Sequence, residues 1–411
     1  MFVIYDKSSM KFPIKVWLED RAQIEDSCLE QAMNLANLPF LHKWVALMPD
    51  THTGMGMPIG GVIAADGVVI PNAVGVDIGC GMAFVETNIP AELFKNTDTP
   101  NGKLIQPIIG DILRNVPVGF AHHPKKQKCV SLDEALGGSE NLSFAPQLLP
   151  ELENGYFQVG TLGGGNHFIE IQEDDDGMVG LMIHSGSRNF GFKICKHFNA
   201  VAKELNSRWH TTVPEEFGLS FLPVDTPAGR SYIEWMNLAL NFAHENREQM
   251  MSRVMDIVGE WFSKYSDVPL EHKTTINCHH NYAALEHHYG KNVWVHRKGA
   301  IRARANDVGI IPGAMGSYSY IVKGLGSEES FHSCSHGAGR KFSRTKAKAE
   351  FSVEKVINDL KECNVVLGKH KKSDVAEECR FAYKDIDFVI KNELDLVKPV
   401  KKLKTIGVVK G

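Results

Sequence analysis

The chain has 411 residues, of which 43% are hydrophobic and 23% charged, a composition typical of ordinary globular proteins. Its net charge of −4 excludes a global basic field, so any nucleic-acid site would have to be a local patch. Because the sequence has no apolar run of about 18 residues and no N-terminal charged segment followed by a long apolar run, we expect neither a membrane span nor a secretory signal.

The first part of the chain predicts short elements around glycine and polar turns. A helix is predicted over about residues 20–37, and "GVIAADGVVIP" (61–71) predicts two strands around an Asp-Gly turn. Residues 98–155 predict irregular structure with short helices, including a loop at "GGSENLS" (137–143). A second hairpin is predicted from "HFIEI" through "QEDDDG" to "MVGLMI" (167–183).

The second part of the chain predicts longer helices and further strands. Helices are predicted at about 191–206 and from Thr226, the expected N-cap, with Pro227 at the first helical position. A hairpin at "NVWVHRKGAIRAR" (292–304) and a helix near 345–363 follow, before a Lys-rich tail. Strands and helices mix without a βαβ rhythm, which favours the α+β class, and the length leaves one or two domains open.

Histidines and one cysteine recur beside glycine turns, where backbone can approach a ligand closely. The segments are "GVDIGCG", "GTLGGGNHFIE", "LMIHSGSR", "NCHHN" and "SCSHGAGR". They contribute as candidate site residues Asp77, Cys80, Asn166, His167, Glu170, His184, Arg188, His279, His280, His336 and Arg340.

Several of these candidates suit a metal ion. The hairpin at 167–183 would place His167 opposite His184, with Cβ atoms about 5 Å apart. The two rings could share a metal, or could be rim histidines bonded to backbone or water. Asp77 and Cys80 add a carboxylate and a thiolate, which suit Mn, Fe, Co or Zn and allow a bridging sulfur. A lone Cys80 would more often be a small buried apolar residue, but the histidines favour the metal.

The segment "CSHGAGR" combines a histidine with a glycine turn and an arginine. Free backbone N–H groups and Arg340 could bind phosphate, and a neutral His336 beside phosphate could act as a nucleophile that forms a phosphoramidate. A loop histidine with a structural hydrogen bond is the alternative. The Lys-rich tail, with Arg188, Arg340 and Arg344, is either a solvated face or a local basic groove.

Other common site motifs are missing from the sequence. The eight Cys include no CxxC pair, which argues against a zinc ribbon and leaves free thiols in a reducing cytoplasm as the expectation. No GxxxxGK[ST] or properly placed GxGxxG occurs, which argues against Walker A and Rossmann sites. Ala64 stands in "AADG" where a lysine-adenylating ligase would need Lys.

Taken together, the long motifs resemble the RtcB family of RNA ligases. The matching segments, in family order from about residue 45 to the end, are "MPDTHTGMG", "PNAVGVDIGCGM", "GTLGGGNHFIEI", "HSGSR", "INCHHNY", "RKGAIRARANDVGIIPGAMG", "GLGSEESFHSCSHGAGRKFSRTKAK", "AYKDID" and "VVKG". The resemblance implies one large α+β domain over 1–411, with central β-sheets packed among helices and a metal and GTP site built from residues 77–410.

The resemblance also implies an activity. Family members join an RNA 3′-phosphate or 2′,3′-cyclic phosphate to a 5′-hydroxyl, using GTP and two Mn²⁺ ions. A histidine is guanylylated, GMP passes to the RNA 3′-phosphate, and the 5′-hydroxyl then displaces GMP. The implied protein is a cytoplasmic enzyme of RNA repair or tRNA splicing without a membrane partner, and an activating protein partner stays open.

Carried over position by position, the resemblance makes His336 the guanylylated nucleophile. The implied metal ligands are Asp77, Cys80, His167, His184 and His280, with Cys80 bridging two ions. Tyr383 is expected to stack on guanine, while Glu170 accepts from its N–H groups and Lys410 donates to its carbonyl. The full implied nucleotide set is Asn166, His167, Phe168, Ile169, Glu170, His280, Asn281, Pro312, Gly313, Ala314, Met315, Ser319, His336, Gly337, Ala338, Gly339, Tyr383 and Lys410.

The chain departs from the family pattern at Met55, at Asn189–Phe190 after "HSGSR", and at Ala314. These positions leave substrate preference open but remove neither a ligand nor the nucleophile. Two rival functions are a metal-dependent phosphodiesterase or phosphatase that acts on RNA ends without GTP, and a non-catalytic RNA- or ribosome-associated binding protein.

Overall fold

The structure, a computed structural model, describes residues 1–137 and 140–411. In chain order, the strands of these residues are β1 (Phe2–Ile4), β2 (Ile14–Val16), β3 (Leu41–His52), β4 (Ile59–Ala65), β5 (Val68–Val69), β6 (Gly81–Pro90), β7 (Asp98–Thr99), β8 (Gly102–Lys103), β9 (Phe168–Asp174), β10 (Met178–Ser185), β11 (Leu222–Pro223), β12 (His272–His279), β13 (Asn281–His288), β14 (Lys291–Lys298), β15 (Ala300–Arg302), β16 (Val308–Ile311), β17 (Tyr318–Gly324), β18 (Ser333–Ser335), β19 (Val366–Gly368) and β20 (Val397–Lys410).

The same residues also form α-helices. These helices are α1 (Asp26–Ala36), α2 (Pro71–Val74), α3 (Ala91–Asn96), α4 (Ile105–Asn115), α5 (Val130–Ala135), α6 (Glu140–Ser143), α7 (Leu149–Gln158), α8 (Arg188–Arg208), α9 (Pro227–Phe262), α10 (Arg344–Glu350), α11 (Val353–Glu362) and α12 (Ile386–Lys391).

Two large sheets organise the described residues. The first has the strand order β1-β2-β3-β4-β14-β13, and the second has the order β12-β6-β10-β9-β20-β17-β16, with β19 beside β20. Neighbouring strands are antiparallel except for the pairs β2–β3 and β19–β20. The end strands β12 and β16 have Cα atoms within 8 Å of each other, so the second sheet is nearly closed. This architecture confirms the predicted α+β class with central sheets.

The second sheet is covered on both faces because its strands alternate between two apolar clusters. Ile169 and Ile183 point into a core shared with α4 and α9, whereas Phe168 and Met182 point to the opposite core beside α11. Burial on both faces fixes the register of β9 and β10, since a slip of one residue would exchange the two sets. The candidate residues at the ends of these strands are therefore held by the two cores.

The predicted helix starts are confirmed where a local cap specifies them. Thr226 accepts a hydrogen bond from the backbone N–H of Gly229 at 3.1 Å, and Pro227 opens α9. The helix predicted at 191–206 is α8, and the one near 20–37 contains α1 after a short 3₁₀ turn. Among the described residues, no helix is long and apolar enough to cross a membrane.

One predicted hairpin is confirmed and two are wrong. β9 and β10 pair around the 174–178 turn as expected. β5, however, pairs with β11, and β4 pairs with β3 and β14. Within 292–304, β14 pairs with β13 and β4, whereas β15 pairs with β18, because Gly299 at φ +64° turns the chain out of the sheet.

Two further predictions are corrected in detail. The helix predicted near 345–363 is divided into α10 and α11, because Phe351 is extended and Ser352 caps a new helix by accepting from the Lys355 N–H at 3.1 Å. Within the loop predicted at 137–143, residues 140–143 form α6, and Gly138 and Ser139 lie outside the described residues.

Candidate active site

The predicted metal ligands meet at one end of the strands β6, β9, β10 and β12. Cys80 immediately precedes β6, His184 lies near the end of β10, and His280 follows β12. Their strands are adjacent in the sheet, which brings residues from distant parts of the chain together. His184 pairs with Phe168 and not with His167, so the expected direct opposition of the two histidines is wrong by one residue. The ring centroids of His167 and His184 are nevertheless 5.2 Å apart.

The ligand atoms form a continuous series with the Cys80 sulfur at its centre. Sγ of Cys80 lies 3.4 Å from Nε2 of His167 and 3.3 Å from Nε2 of His184. Beyond these rings, His167 Nε2 lies 3.1 Å from Oδ2 of Asp77, and His184 Nε2 lies 3.1 Å from Nε2 of His280. Two ligand atoms that bind the same tetrahedral ion through bonds of about 2.1 Å lie roughly 3.4 Å apart. The donor set and its spacing therefore fit a divalent cation beside the sulfur.

The outer ring nitrogens are held by backbone and side-chain oxygens. Nδ1 of His167 lies 3.1 Å from the carbonyl of Leu162, and Nδ1 of His184 lies 3.2 Å from the carbonyl of Asn166. Because a carbonyl only accepts, Nδ1 of His184 carries the proton and its Nε2 offers a lone pair to the centre. Such contacts orient histidine ligands at metal sites.

The electrostatics of the centre suit ligation. Burial, reinforced by neighbouring histidines, lowers the pKa of both His184 and His280 well below the ordinary value, so both rings are neutral. Burial, with the charge of Asp77 beside it, raises the pKa of the Cys80 thiol well above its usual value. A divalent cation bound at this point would favour the thiolate, since metal binding releases the proton of a thiol.

His336 lies beside this centre and is oriented by a carboxylate that sequence reasoning missed. Its ring centroid is 4.6 Å from that of His280. Asp50, which is fully buried at the end of β3, accepts from both the backbone N–H of His336 at 3.1 Å and its Nδ1 at 2.7 Å. Burial would raise the pKa of Asp50, but the hydrogen bond from His336 holds it below its usual value. Nδ1 is thus the proton-bearing nitrogen and Nε2 carries the free lone pair.

A cavity of about 330 Å³ opens next to His336. It is lined by many of the predicted nucleotide residues, namely Asn166, Phe168, Glu170, Pro312, Gly313, Ala314, Met315, His336, Gly337, Ala338, Gly339, Tyr383 and Lys410. Ile169 is absent from this lining because side chains alternate along strand β9. Phe168 and Glu170 face the cavity, while the side chain of Ile169 packs in the opposite core.

The floor of the cavity holds a buried acid and a buried base. Burial raises the pKa of Glu170 to about 7, although Thr405 donates to its carboxylate at 3.0 Å and Gln172 at 2.7 Å. Burial also lowers the pKa of Lys410, whose Nζ lies 3.5 Å from the carboxylate of Glu378. An acceptor and a donor fixed in one cavity can form hydrogen bonds with the edge of a nucleobase.

Other predicted nucleotide residues support the walls of the cavity. The Ser319 hydroxyl accepts from the Gly313 N–H at 3.2 Å and so braces the 312–315 turn. Asn281 donates to the carbonyl of Asp77 at 3.1 Å and accepts from Gly299, which joins the ligand loop to the end of β14. Tyr383 lines the cavity, and the Arg340 guanidinium lies 4.8 Å from the centre of its ring.

The neighbouring histidine of the "CHHN" segment is separated from the ligands. The ring of His279 points to Arg247, with Nδ1 3.1 Å from Nη2, and burial with this charge lowers the pKa of His279 to about 3. Arg247 itself is fully buried in α9 and donates to the carbonyls of Gly79 at 2.8 Å and Ser185 at 2.9 Å. It therefore positions the two turns that carry Cys80 and His184. The position of Arg247 within the sequence of α9 does not indicate this role.

A second, wider cavity of about 1000 Å³, the basic groove, adjoins the first. Both cavities are lined by Arg344 and Lys410. The walls of the basic groove include basic and aromatic side chains, among them Phe120, which is fully exposed, and Arg188, Phe192, Lys369, His370 and Lys371. Of the positions that depart from the family pattern, Asn189 lines this groove and Ala314 the first cavity, whereas Phe190 is buried in the core and Met55 is exposed.

Several known proteins are similar to this chain over nearly its whole length. A family model described as "tRNA-splicing ligase RtcB" matches residues 31–411. The chain is 38% identical to "RNA-splicing ligase RtcB" of Escherichia coli (strain K12), over 97% of each chain. It is 32% identical to "tRNA-splicing ligase RtcB" of Thermococcus kodakarensis, over 99% of this chain and 96% of the relative, and 31% identical to that of Pyrobaculum aerophilum, over 98% and 96%.

Proposed function

The chain belongs to the RtcB family of RNA ligases, and we propose that it uses GTP to join RNA 3′-phosphate or 2′,3′-cyclic phosphate ends to 5′-hydroxyl ends. The observation that supports this most strongly is the pairing of His336 with Asp50 beside both the ligand centre and the cavity. A metal-dependent hydrolase would need the ligand centre to activate water, but it would have no use for an oriented histidine nucleophile.

The first step is guanylyl transfer to His336. Because Nδ1 donates to Asp50 at 2.7 Å, Nε2 is free to attack the α-phosphorus of GTP. The new P–N bond replaces the bond to the pyrophosphate, which leaves, and His336 carries GMP as a phosphoramidate. Asp50 stabilises the positive charge that develops on the ring as the bond forms.

The ligand centre is proposed to hold two Mn²⁺ ions through Asp77, Cys80, His167, His184 and His280. The Cys80 sulfur, 3.4 Å and 3.3 Å from two histidine nitrogens, would bind metal together with these rings. Bound ions there would neutralise the triphosphate and the departing pyrophosphate. The cavity residues select the base, with the Glu170 carboxylate accepting from guanine N–H groups and Lys410 donating to its carbonyl oxygen.

The wider groove is proposed to hold the RNA. Its basic side chains can pair with phosphates, and Phe120 and Phe192 offer exposed rings on which bases can stack. The groove is shared with the nucleotide cavity at Arg344 and Lys410, so an RNA end in it can reach the GMP on His336.

The remaining steps follow from the chemistry of the ends. An RNA 3′-phosphate oxygen attacks the phosphorus of the histidine adduct, which breaks the P–N bond and caps the RNA with GMP. The 5′-hydroxyl then attacks the RNA phosphate, forms the 3′,5′-phosphodiester and releases GMP. A cyclic phosphate must first be opened to the 3′-phosphate by water. RNA repair and tRNA splicing both present such ends.

A ligation assay tests this proposal. Two RNAs, one with a 3′-phosphate and one with a 5′-hydroxyl, are incubated with Mn²⁺ and with or without GTP. We expect a joined product that requires GTP and is lost in His336→Ala, while the matched variant His287→Ala, at an exposed histidine on β13, retains it. GTP-independent removal of the 3′-phosphate without joining would support the hydrolase instead.

A further inference from the structure

A second group of histidines and glutamates lies away from the active site, at the far end of β13. His288 ends this strand, whose other end adjoins His280, and a strand of this length spans about 23 Å. One possible ligand atom each from Glu286, His288 and His332 lie within 4.8 Å of one another. The carboxylate of Glu328, on the turn before His332, lies 3.5 Å from His288 and 3.2 Å from His332.

The protonation of His288 is fixed by its contact with Glu286. Arg297, which is fully buried, donates to both oxygens of Glu286 at 2.5 Å and 3.2 Å and keeps it a carboxylate. Nε2 of His288 lies 3.3 Å from Oε2 of that carboxylate, which can only accept. Nε2 therefore carries the proton, and in the neutral ring Nδ1 presents a lone pair. A carboxylate behind a histidine is how proteins commonly orient a metal-binding imidazole.

The Nδ1 nitrogen of His288 is buried and faces further atoms that could bind a metal ion. His288 is 1% exposed, and among residues 1–137 and 140–411 its Nδ1 has no hydrogen-bond partner. Oε2 of Glu328 lies 3.5 Å away, and Oε1 of the same carboxylate lies 3.2 Å from Nε2 of His332. A lone pair facing a carboxylate at this distance is repelled unless a positive charge lies between them. These separations are close to the roughly 3.4 Å between neighbouring ligands of a tetrahedral ion.

The backbone also holds His332 in an uncommon conformation. Phe331 and His332 have φ values of 51° and 52°, a left-handed region that costs energy for residues other than glycine. The conformation is maintained by hydrogen bonds from the His332 N–H to the Ser327 carbonyl at 2.9 Å and from the Ala303 N–H to the His332 carbonyl at 2.7 Å. This turn directs the His332 imidazole towards Glu328, and its side chain is 19% exposed, so solvent can reach the group.

We propose that His288, His332 and Glu328 form a second divalent-cation site of the Zn²⁺ type, with Glu286 orienting His288 and water completing the coordination. Two imidazoles and a carboxylate are ligands that zinc accepts in three-residue sites. The ion would tie the end of β13 to the turn at 328–332, from which β18 leads directly to His336. The site is separate from the ligand centre at Cys80 and does not depend on the proposed function.

Zinc content tests the proposal on the full chain. Wild type, His332→Asn, Glu328→Gln and His287→Ala are dialysed against micromolar Zn²⁺ and analysed by plasma mass spectrometry. Asn tolerates a left-handed backbone better than Ala, and the Glu328 side chain is 54% exposed, so both variants should fold. His287 is the matched control, since it is exposed on the opposite face of β13.

We expect His332→Asn and Glu328→Gln each to lose one equivalent of zinc relative to wild type, and His287→Ala to lose none. With Co²⁺ in place of zinc, the thiolate-to-metal absorption of Cys80 should persist in His332→Asn, which locates the lost ion outside the Cys80 centre. Equal zinc contents in wild type and both variants would overturn the site and leave a protonated His288 between two carboxylates.

Discussion

In the proposed reaction, the Asp50 carboxylate determines which ring nitrogen of His336 can attack phosphorus. Replacing Asp50 with Asn keeps the shape but offers an amide that can donate to Nδ1 and reverse the tautomer. We expect Asp50→Asn to slow formation of the GMP adduct by roughly a hundredfold or more, the range for lost acid–base assistance. Rapid-quench measurement of the adduct checks this.

The control for Asp50 is Asp66→Asn, which removes an exposed carboxylate paired with Lys291. It should form the adduct at the wild-type rate, and both variants should bind the same amount of metal. An unchanged rate in Asp50→Asn would show that the carboxylate only supports the fold around His336.

If the cavity binds GTP as proposed, Glu170 should make the binding depend on pH. Burial raises its pKa to about 7, and a carboxylate that accepts from guanine must be ionised. GTP affinity should therefore fall as the pH drops below about 7, by up to about tenfold per pH unit. The measurement is the GTP dissociation constant at pH 6 and pH 8 in the His336→Ala background.

Glu170→Gln provides the comparison, since Gln does not titrate. In this variant GTP should bind more weakly at pH 8 and with a much smaller ratio between the two pH values. If both proteins show the same ratio, the pH effect belongs to the phosphates of GTP or to the metal, and Glu170 does not contact guanine as a carboxylate.

The residues that meet at the Cys80 centre could be singled out from sequence because each lies in a distinctive local motif, whereas their role as metal ligands stays a prediction. Asp77, Cys80 and His280 stand beside glycine turns or in an unusual His-His pair. Asp50 stands in "MPDTH", far along the chain from His336, and nothing local couples the two. Such a contact is created by the approach of β3 to β18, which only the folded structure reveals. Glu286 and His332 escaped notice for the same reason.

At the scale of elements, α9 connects the core to the active site through Arg247. The side chain crosses into the ligand loops and satisfies the carbonyls of Gly79 and Ser185. Arg247→Met would remove two hydrogen bonds from these buried carbonyls, at about 1–3 kcal/mol for each. We expect the free energy of unfolding to fall by about 3 kcal/mol or more, together with loss of bound metal, as measured by urea denaturation and metal analysis.

Arg208→Gln is the matched control, because that arginine ends α8 with its side chain 68% exposed. Surface substitutions of this kind change stability by less than about 0.5 kcal/mol. Equal stability of the two variants would mean that water replaces the guanidinium at the two carbonyls.

The elements themselves were predicted well where the signal is local. Thr226 and Pro227 mark the start of α9, and the Asp-rich turn marks the β9–β10 hairpin. Strand partners were predicted poorly, because β5 and β15 pair with strands far along the chain. Adjacent strands form hairpins by default, and the sequence does not show where tertiary packing overrides this default.

At the scale of the whole molecule, RNA binding must overcome a net charge of −4. The basic groove supplies a local positive surface, so affinity should fall steeply as salt rises. We expect Lys371→Gln, in the groove, to lower the slope of log affinity against log salt by about 0.7, the value for one contact to a single-stranded phosphate. Fluorescence anisotropy with a 5′-hydroxyl RNA measures this slope.

Lys264→Gln is the corresponding control, since this exposed lysine lies just beyond α9 and lines neither cavity. Its slope should equal that of wild type. A reduction of the same size in both variants would place the RNA elsewhere on the surface.

The most direct measurement is the mass of the intact protein after incubation with GTP and Mn²⁺. Wild type should gain the mass of one GMP, and His336→Ala should gain none while it retains its metal. A wild-type protein that binds metal and GTP yet shows no adduct, or an adduct that persists in His336→Ala, would contradict the assignment of His336 as the guanylylated nucleophile.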